Sequence, residues 1–202
     1  MSTITPQIPS PNGEPAWEAA FLLPPQGRWN EADFLELHTN RMAELVDGRL
    51  EILPMPTLQH QRILRFLLGL VEKAAPGGST VLFAPLPTRL FPGTIREPDL
   101  LYIAPENAPA PNEKYPAHID LAVEIVSEGD EARRRDYDDK RTDYAKAGVS
   151  EYWIVDPQDE CVTVLVLEGN SYVEVKVFRI GEHASGRLLP KLTVDVAELL
   201  RQ

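Results

Sequence analysis

Two acidic residues and a lysine have the types and order that a metal-dependent hydrolase requires. Asp99 follows Glu97-Pro98 at the start of an apolar segment, Glu124 lies near the end of a second apolar segment, and Lys140 comes after both. Carboxylate oxygens, together with a backbone carbonyl such as that of Ile125, are ligands that suit Mg²⁺ or Mn²⁺. Such an ion polarises a phosphate and activates water, while an ammonium group offsets developing charge. These residues predict a magnesium-dependent phosphodiesterase if their side chains converge.

The position of Glu124 is unusual for a carboxylate. Alternate side chains of a strand share a face, so Glu124 points the same way as Ala122 and Val126, while Leu121 and Val123 point the other way. Both faces are therefore apolar. A carboxylate in such surroundings is costly unless it is paired or bound to a metal.

Asp99 and Lys140 are placed by their neighbours. Pro98 favours strand starts and edges, which predicts that Asp99 lies at the start of its strand, near a margin of the sheet. Three-and-four spacing puts Lys140 on one helical stripe with Tyr137 and Tyr144. A lysine on the core side of a helix either extends to solvent or meets carboxylates. Two interpretations stay open, a catalytic amine and a structural ion pair.

Turn residues and hydrophobic periodicity predict the elements that carry these side chains. Asp47-Gly48 indicates a hairpin between residues 43–46 and 49–53. Thr57 caps an amphipathic helix that ends before Pro76, and a further helix spans residues 133–147. Strands are predicted at residues 80–84, 88–91, 98–103, 119–126, 151–156, 162–167 and 172–178. This mixed order indicates an α/β or α+β fold with a central mixed sheet.

Composition limits the class of protein. The 202 residues suit one domain, predicted at residues 29–202, after a proline-rich arm at residues 1–28. The lone Cys161 permits neither an internal disulfide nor a cysteine-based zinc site. No apolar segment is long enough to cross a membrane, and the first basic residue is Arg28, which predicts a cytoplasmic protein. The net charge of −11 argues against a protein that coats nucleic acid, so any contact with DNA is expected to be local.

The chain resembles the Uma-type restriction endonucleases, a branch of the PD-(D/E)XK nuclease superfamily. The similarity extends from about residue 31 to residue 200 and depends on an ordered set of short motifs. These are residues 44–50, Gln59-His60-Gln61, Arg96-Glu97-Pro98-Asp99, residues 120–127, the Asp136, Lys140 and Tyr144 series, and residues 148–156.

The resemblance implies a central mixed sheet flanked by helices. It also implies that Asp99 and Glu124 are metal ligands and that Glu44 is an accessory acid. The superfamily usually has a lysine two residues after the second acid, but Val126 stands there in this chain. Lys140 matches a lysine that has moved to the following helix.

The sequence thus favours an endonuclease that hydrolyses DNA phosphodiester bonds with a metal-activated water, and His60 and Tyr144 are candidate substrate contacts. A homodimer is plausible because cutting two strands usually needs two sites. The competing hypothesis is a non-catalytic binding or regulatory module that keeps the nuclease fold. A glycosidase built on Asp99 and Glu124 would need a sugar-sized gap between the two carboxylates.

Overall fold

The computed structural model describes residues 23–37 and 41–202. Most of the predicted N-terminal arm, residues 1–22, lies outside the described residues. In the described part, the α-helices are α1 (Glu31–Leu35), α2 (Leu58–Ala74), α3 (Asp130–Arg134), α4 (Lys140–Lys146) and α5 (Val196–Leu200). A π-helical turn, Arg135–Asp139, joins α3 to α4. No helix among these residues is long and apolar enough to span a membrane.

The strands form two main sheets and one small one. In chain order they are β1 (Ala43–Val46), β2 (Arg49–Ile52), β3 (Thr80–Phe83), β4 (Thr88–Phe91), β5 (Thr94–Arg96), β6 (Leu100–Ile103), β7 (Leu121–Ile125), β8 (Glu151–Asp156), β9 (Cys161–Glu168), β10 (Ser171–Arg179), β11 (His183–Ala184) and β12 (Val194–Asp195).

The central sheet has six strands in the order β10-β9-β8-β7-β6-β3. Strands β7 and β8 are parallel, and the other neighbours are antiparallel. The predicted mixed sheet is thus confirmed. Asp99 directly precedes β6, as predicted, but β6 is not itself an edge strand, because β3 pairs with its outer side.

Helices cover both faces of the central sheet. On one face, Leu67 of α2 and Leu199 of α5 pack with Val123 of β7 in a buried cluster. On the other face, Tyr144 of α4 packs in a second cluster with Ala122. The two faces of β7 therefore divide as its alternating side chains predict, which leaves Glu124 on the α4 side.

The smaller sheet has the order β2-β1-β5-β4 and begins with the predicted hairpin. Asp47 and Gly48 at its turn have φ angles of 47° and 73°, the left-handed pair that a two-residue hairpin turn requires. A Cβ atom on Gly48 would lie 3.0 Å from the backbone of Gly27. Glycine is therefore required at this turn by both backbone conformation and space.

Candidate active site

One cavity of about 200 Å³ collects most of the candidate residues. It lies at the end of β7, between α2 and the π-helical turn. The segment that follows β3 and the segment between β5 and β6 also contribute to its wall. The polar or ligand-bearing residues on its wall are His60, Glu97, Asp99, Glu124, Ile125, Ser127, Arg135, Asp136 and Lys140. The structure thus brings Asp99, Glu124 and Lys140 together although they are distant along the chain.

Asp99 is held from two sides. Its Oδ2 atom accepts a hydrogen bond from the backbone N–H of Ile125 at 2.7 Å and lies 3.1 Å from Nε2 of His60. His60 is in the first turn of α2, where its N–H donates to the capping hydroxyl of Thr57 at 3.1 Å. The Thr57 cap positions His60 at the start of α2, and Ile125 is held in the central sheet by its strand pairing. The orientation of the Asp99 carboxylate is therefore fixed by one contact from a helix and one from the sheet.

Glu124 is engaged through both carboxylate oxygens. Its Oε1 atom accepts a hydrogen bond from the Tyr144 hydroxyl at 2.5 Å, and its Oε2 atom lies 2.8 Å from Nζ of Lys140. Tyr144 is fully buried and does not line the cavity. We expected Tyr144 among the substrate contacts, but the structure places it behind Glu124, where it orients the carboxylate instead.

The π-helical turn decides which face of this helical segment is buried. Its wider turn, with the Lys140 N–H bonded to the Arg135 carbonyl, puts Asp136, Lys140 and Tyr144 on the buried side. Tyr137, which the regular three-and-four pattern places on this stripe, is only half-buried and donates its hydroxyl to Asp156. The predicted single helix of residues 133–147 is thus interrupted by a π-helical turn, and Asp136 takes the buried position that was predicted for Tyr137.

Glu44 lies deeper than the cavity wall. Its Oε1 atom accepts from the N–H of Glu97 at 2.9 Å and lies 3.3 Å from Nζ of Lys140, while Oε2 accepts from Arg96 at 2.7 Å. Arg96 also donates to Asp143 of α4, at 2.7 Å. Glu44 is fully buried and is not part of the cavity wall, so it contacts Lys140 and the Glu97 backbone from behind the cavity.

The site contains more carboxyl groups than cationic side chains, and this excess shifts the pKa values of its residues. Burial acts to lower the pKa of Lys140, but Glu124 and Glu44 raise it well above its ordinary value. Burial raises the pKa of Glu124 and that of Asp136, although Lys140 opposes both shifts. Burial and then the Glu44 carboxylate raise the pKa of Glu97 to about 7. The cluster therefore favours additional positive charge.

The residues present fit a hard divalent cation. Four buried side-chain atoms on the cavity wall have no hydrogen-bond partner among the described residues: His60 Nδ1, Glu97 Oε2, Arg135 Nε and Asp136 Oδ1. Two of these atoms are carboxylate oxygens, and the cavity has room for an ion with several waters. Among the described residues, no group of three or more acidic, histidine or cysteine side chains is arranged as a ready-made metal cluster. A Mg²⁺ ion commonly uses only one or two carboxylates and keeps water ligands.

Several residues of the site were not among the predicted functional residues. Glu97 and Asp136 contribute the carboxylate oxygens without a hydrogen bond, although Asp136 Oδ1 lies 3.6 Å from Nζ of Lys140. Arg96 joins Glu44 to Asp143 behind the cavity. Glu97 lies two residues before Asp99, and Asp136 lies four residues before Lys140, which puts each close to a predicted site residue. Arg96 belongs to the Arg96-Glu97-Pro98-Asp99 motif of the family resemblance, but it was given no role because β5, the strand that carries it, was not predicted.

The fold and site define a restriction-endonuclease-like protein, and the comparison with family models gives the family. The model of the Uma2 family, described as "Putative restriction endonuclease", matches residues 29–197. The chain therefore belongs to the Uma2 family.

Solved structures support the fold. A crystal structure described as "a putative nuclease belonging to DUF820 from Anabaena variabilis ATCC 29413" superposes with a TM-score of 0.70. The two chains are 17% identical, and the similarity covers 85% of this chain and 97% of that one. No curated protein matches this chain.

Proposed function

We propose that the protein is a divalent-metal-dependent endonuclease that hydrolyses phosphodiester bonds of DNA. One observation carries the proposal: four carboxylates surround one cavity whose wall, among the described residues, carries only two permanently cationic side chains, Lys140 and Arg135; the carboxylates are those of Glu97, Asp99, Glu124 and Asp136. Buried carboxylates in such excess need a further cation or protons. Membership of a family described as restriction endonucleases supports DNA as the substrate.

Asp99, Glu124 and the carbonyl of Ile125 are the proposed metal ligands. Mg²⁺ or Mn²⁺ bound there would polarise the scissile phosphate and make water a stronger nucleophile. His60 and the Ile125 N–H hold Asp99, whereas Tyr144 and Lys140 hold Glu124. This support fixes the orientation of both carboxylates before any ligand arrives.

Lys140 is the proposed electrostatic catalyst. Its Nζ atom stays protonated because carboxylates surround it, and it lies on the cavity wall beside Glu124. A fixed ammonium in a partly dry site stabilises negative charge that develops on the phosphate. His60 is the proposed contact to a phosphate oxygen, and two copies of the site in a homodimer would allow both strands to be cut.

A non-catalytic module is the second candidate, and one observation favours it. Both oxygens of Glu124 are already bonded, to Tyr144 and to Lys140, so metal binding must compete with an existing ion pair. In such a module the same contacts would serve only to hold α4 on the sheet.

Metal binding and DNA nicking, measured on the same variants, test the proposal. We expect Asp99→Asn to weaken Mn²⁺ binding in calorimetry by about tenfold or more, as loss of a ligand would. The control is Asp120→Asn, a buried acid outside the cavity that accepts from Ala104 N–H at 2.7 Å. Unchanged Mn²⁺ affinity in Asp99→Asn would remove Asp99 from the ligand set.

A plasmid-nicking assay separates the two candidates. The wild type is expected to nick plasmid with Mg²⁺ or Mn²⁺ and not with EDTA, and Lys140→Arg is expected to nick more slowly because its planar group cannot occupy the same position. Binding of Mn²⁺ without nicking of any DNA would favour the non-catalytic module.

A further inference from the structure

Three of the basic side chains in residues 133–147 are paired with carboxylates of the protein. Arg133 pairs with Asp156 and Asp159, Arg134 lies 3.5 Å from Asp139, and Lys140 contacts Glu124 and two further acids. Arg133, Arg134 and Lys140 therefore offer less to a polyanion than unpaired arginines would. A DNA substrate for a protein of net charge −11 needs a local positive surface elsewhere.

The exposed side of α2 provides such a surface. Arg62 and Arg65 are three residues apart, so they are neighbours on the helix, and both are exposed. In residues 23–37 and 41–202 neither forms a hydrogen bond or ion pair. Together with Arg201 they line a cavity of about 770 Å³, and none of the described residues on its wall has an acidic side chain.

This cavity adjoins the candidate active site. Gln61 and Leu64 of α2 line both cavities. Phe83, at the end of β3, lines the arginine cavity and is 50% exposed. The next residue, Ala84, donates its N–H to the carbonyl of Asp99 at 3.0 Å. The arginine cavity is thus connected to the proposed metal site through both α2 and β3.

We propose that Arg62 and Arg65, beside Phe83, bind the phosphate backbone of DNA next to the bond that is cut. This inference extends the proposed nuclease function by naming where the substrate lies. The unpaired guanidinium groups suit phosphate oxygens, because they donate in a planar fork to anionic oxygen. Phe83 supplies an apolar surface at the edge of the sheet against which a sugar or base packs.

Anisotropy of a short labelled DNA duplex, measured in EDTA, tests the surface without the proposed metal site. We expect the Arg62→Gln/Arg65→Gln double variant to raise Kd about tenfold at low salt. The slope of log Kd against log salt concentration should fall by about two, since two phosphate contacts are lost. The control, Lys73→Gln/Lys191→Gln, removes the same charge from exposed positions outside both cavities and should leave both quantities near the wild-type values.

Each outcome decides the inference. An unchanged Kd and slope in the arginine variant, an equal loss in the control, or a wild type that does not bind DNA would overturn it. Thermal unfolding of both variants checks that the fold is intact. If the wild type binds DNA through these arginines but cleaves none with Mg²⁺ or Mn²⁺, the nuclease proposal fails and the DNA surface stands. If the wild type cleaves DNA and the arginine variant keeps the wild-type KM and Kd, the nuclease proposal stands and the proposed DNA surface is wrong.

Discussion

The Nζ atom of Lys140 lies 2.8 Å from Oε2 of Glu124, and both side chains are 3% exposed. This ion pair joins the helical layer to the central sheet at a place with little exposure to solvent. Removing one member of such a pair is costly because the other charge remains buried. Stability and function therefore depend on the same contact, and the two must be measured separately.

Lys140→Met should lower the free energy of unfolding by about 3–5 kcal/mol, because Glu124 and Glu44 lose their shared cation. Urea denaturation gives this value. Lys146→Met is the control: Lys146 is exposed, with its Nζ atom 3.8 Å from the centre of the Phe91 ring, and its loss should cost less than about 1 kcal/mol. Similar small losses in both variants would contradict a structural role for Lys140.

Tyr144→Phe should reduce Mn²⁺ affinity about tenfold, because the hydroxyl that orients the Glu124 carboxylate is removed while the ring remains. Tyr172→Phe is a matched control, since its buried hydroxyl donates to the Val149 carbonyl at 2.8 Å and does not contact the acids. Each change should lower the free energy of unfolding by about 1–3 kcal/mol. Calorimetry that showed the same Mn²⁺ affinity in both variants would argue that Tyr144 acts only in packing.

Arg96→Lys should destabilise the protein by about 1.5–3 kcal/mol although the charge is kept. The guanidinium donates to Glu44, Glu51 and Asp143 at once, and an ammonium cannot reach all three in this geometry. Arg89→Lys, in the partly exposed pair with Glu31, should change stability by less than about 1 kcal/mol. If the two variants melted at the same temperature, Arg96 would not join the smaller sheet to α4 as its contacts indicate.

Gly186→Ala should lower the free energy of unfolding by about 1–3 kcal/mol. A Cβ atom there would lie 1.9 Å from Oε1 of Glu151, a buried carboxylate that accepts from Trp153 Nε1 at 2.7 Å and from Arg187 N–H at 2.6 Å. Gly69→Ala is the matched opposite case. It lies inside α2 with nothing within 4 Å of the added atom, so it should raise stability by about 0.5–1 kcal/mol. If Gly186→Ala and Gly69→Ala shifted the thermal midpoint in the same direction, the explanation from the space around each glycine would be wrong.

Local features of the fold were predictable because short-range physics governs them. The Asp47-Gly48 hairpin follows from the backbone angles of its turn, and α2 begins after the Thr57 cap and ends before Pro76, as its residue spacing predicts. The alternation along β7 correctly put Glu124 on one apolar face. Strand β5 was missed because three residues carry too little periodicity to identify a strand.

The candidate site was predictable only in part. Asp99, Glu124 and Lys140 were singled out because charged residues beside apolar runs are costly to bury. Their surroundings were not predictable, since the π-helical turn exchanges Tyr137 for Asp136 on the buried face. The roles of these residues in metal binding and hydrolysis stay predictions.

The amino-acid sequence by itself determined most of the elements and the residue types available for chemistry, because capping, turn conformation and side-chain alternation act over a few residues. The tertiary structure alone decided that Glu97 and Asp136 share a cavity with Asp99, and that Tyr144 stands behind Glu124. Such meetings depend on the pairing order of distant strands, which local preferences do not specify. The excess of buried carboxylates that calls for a cation is thus a property of the folded chain.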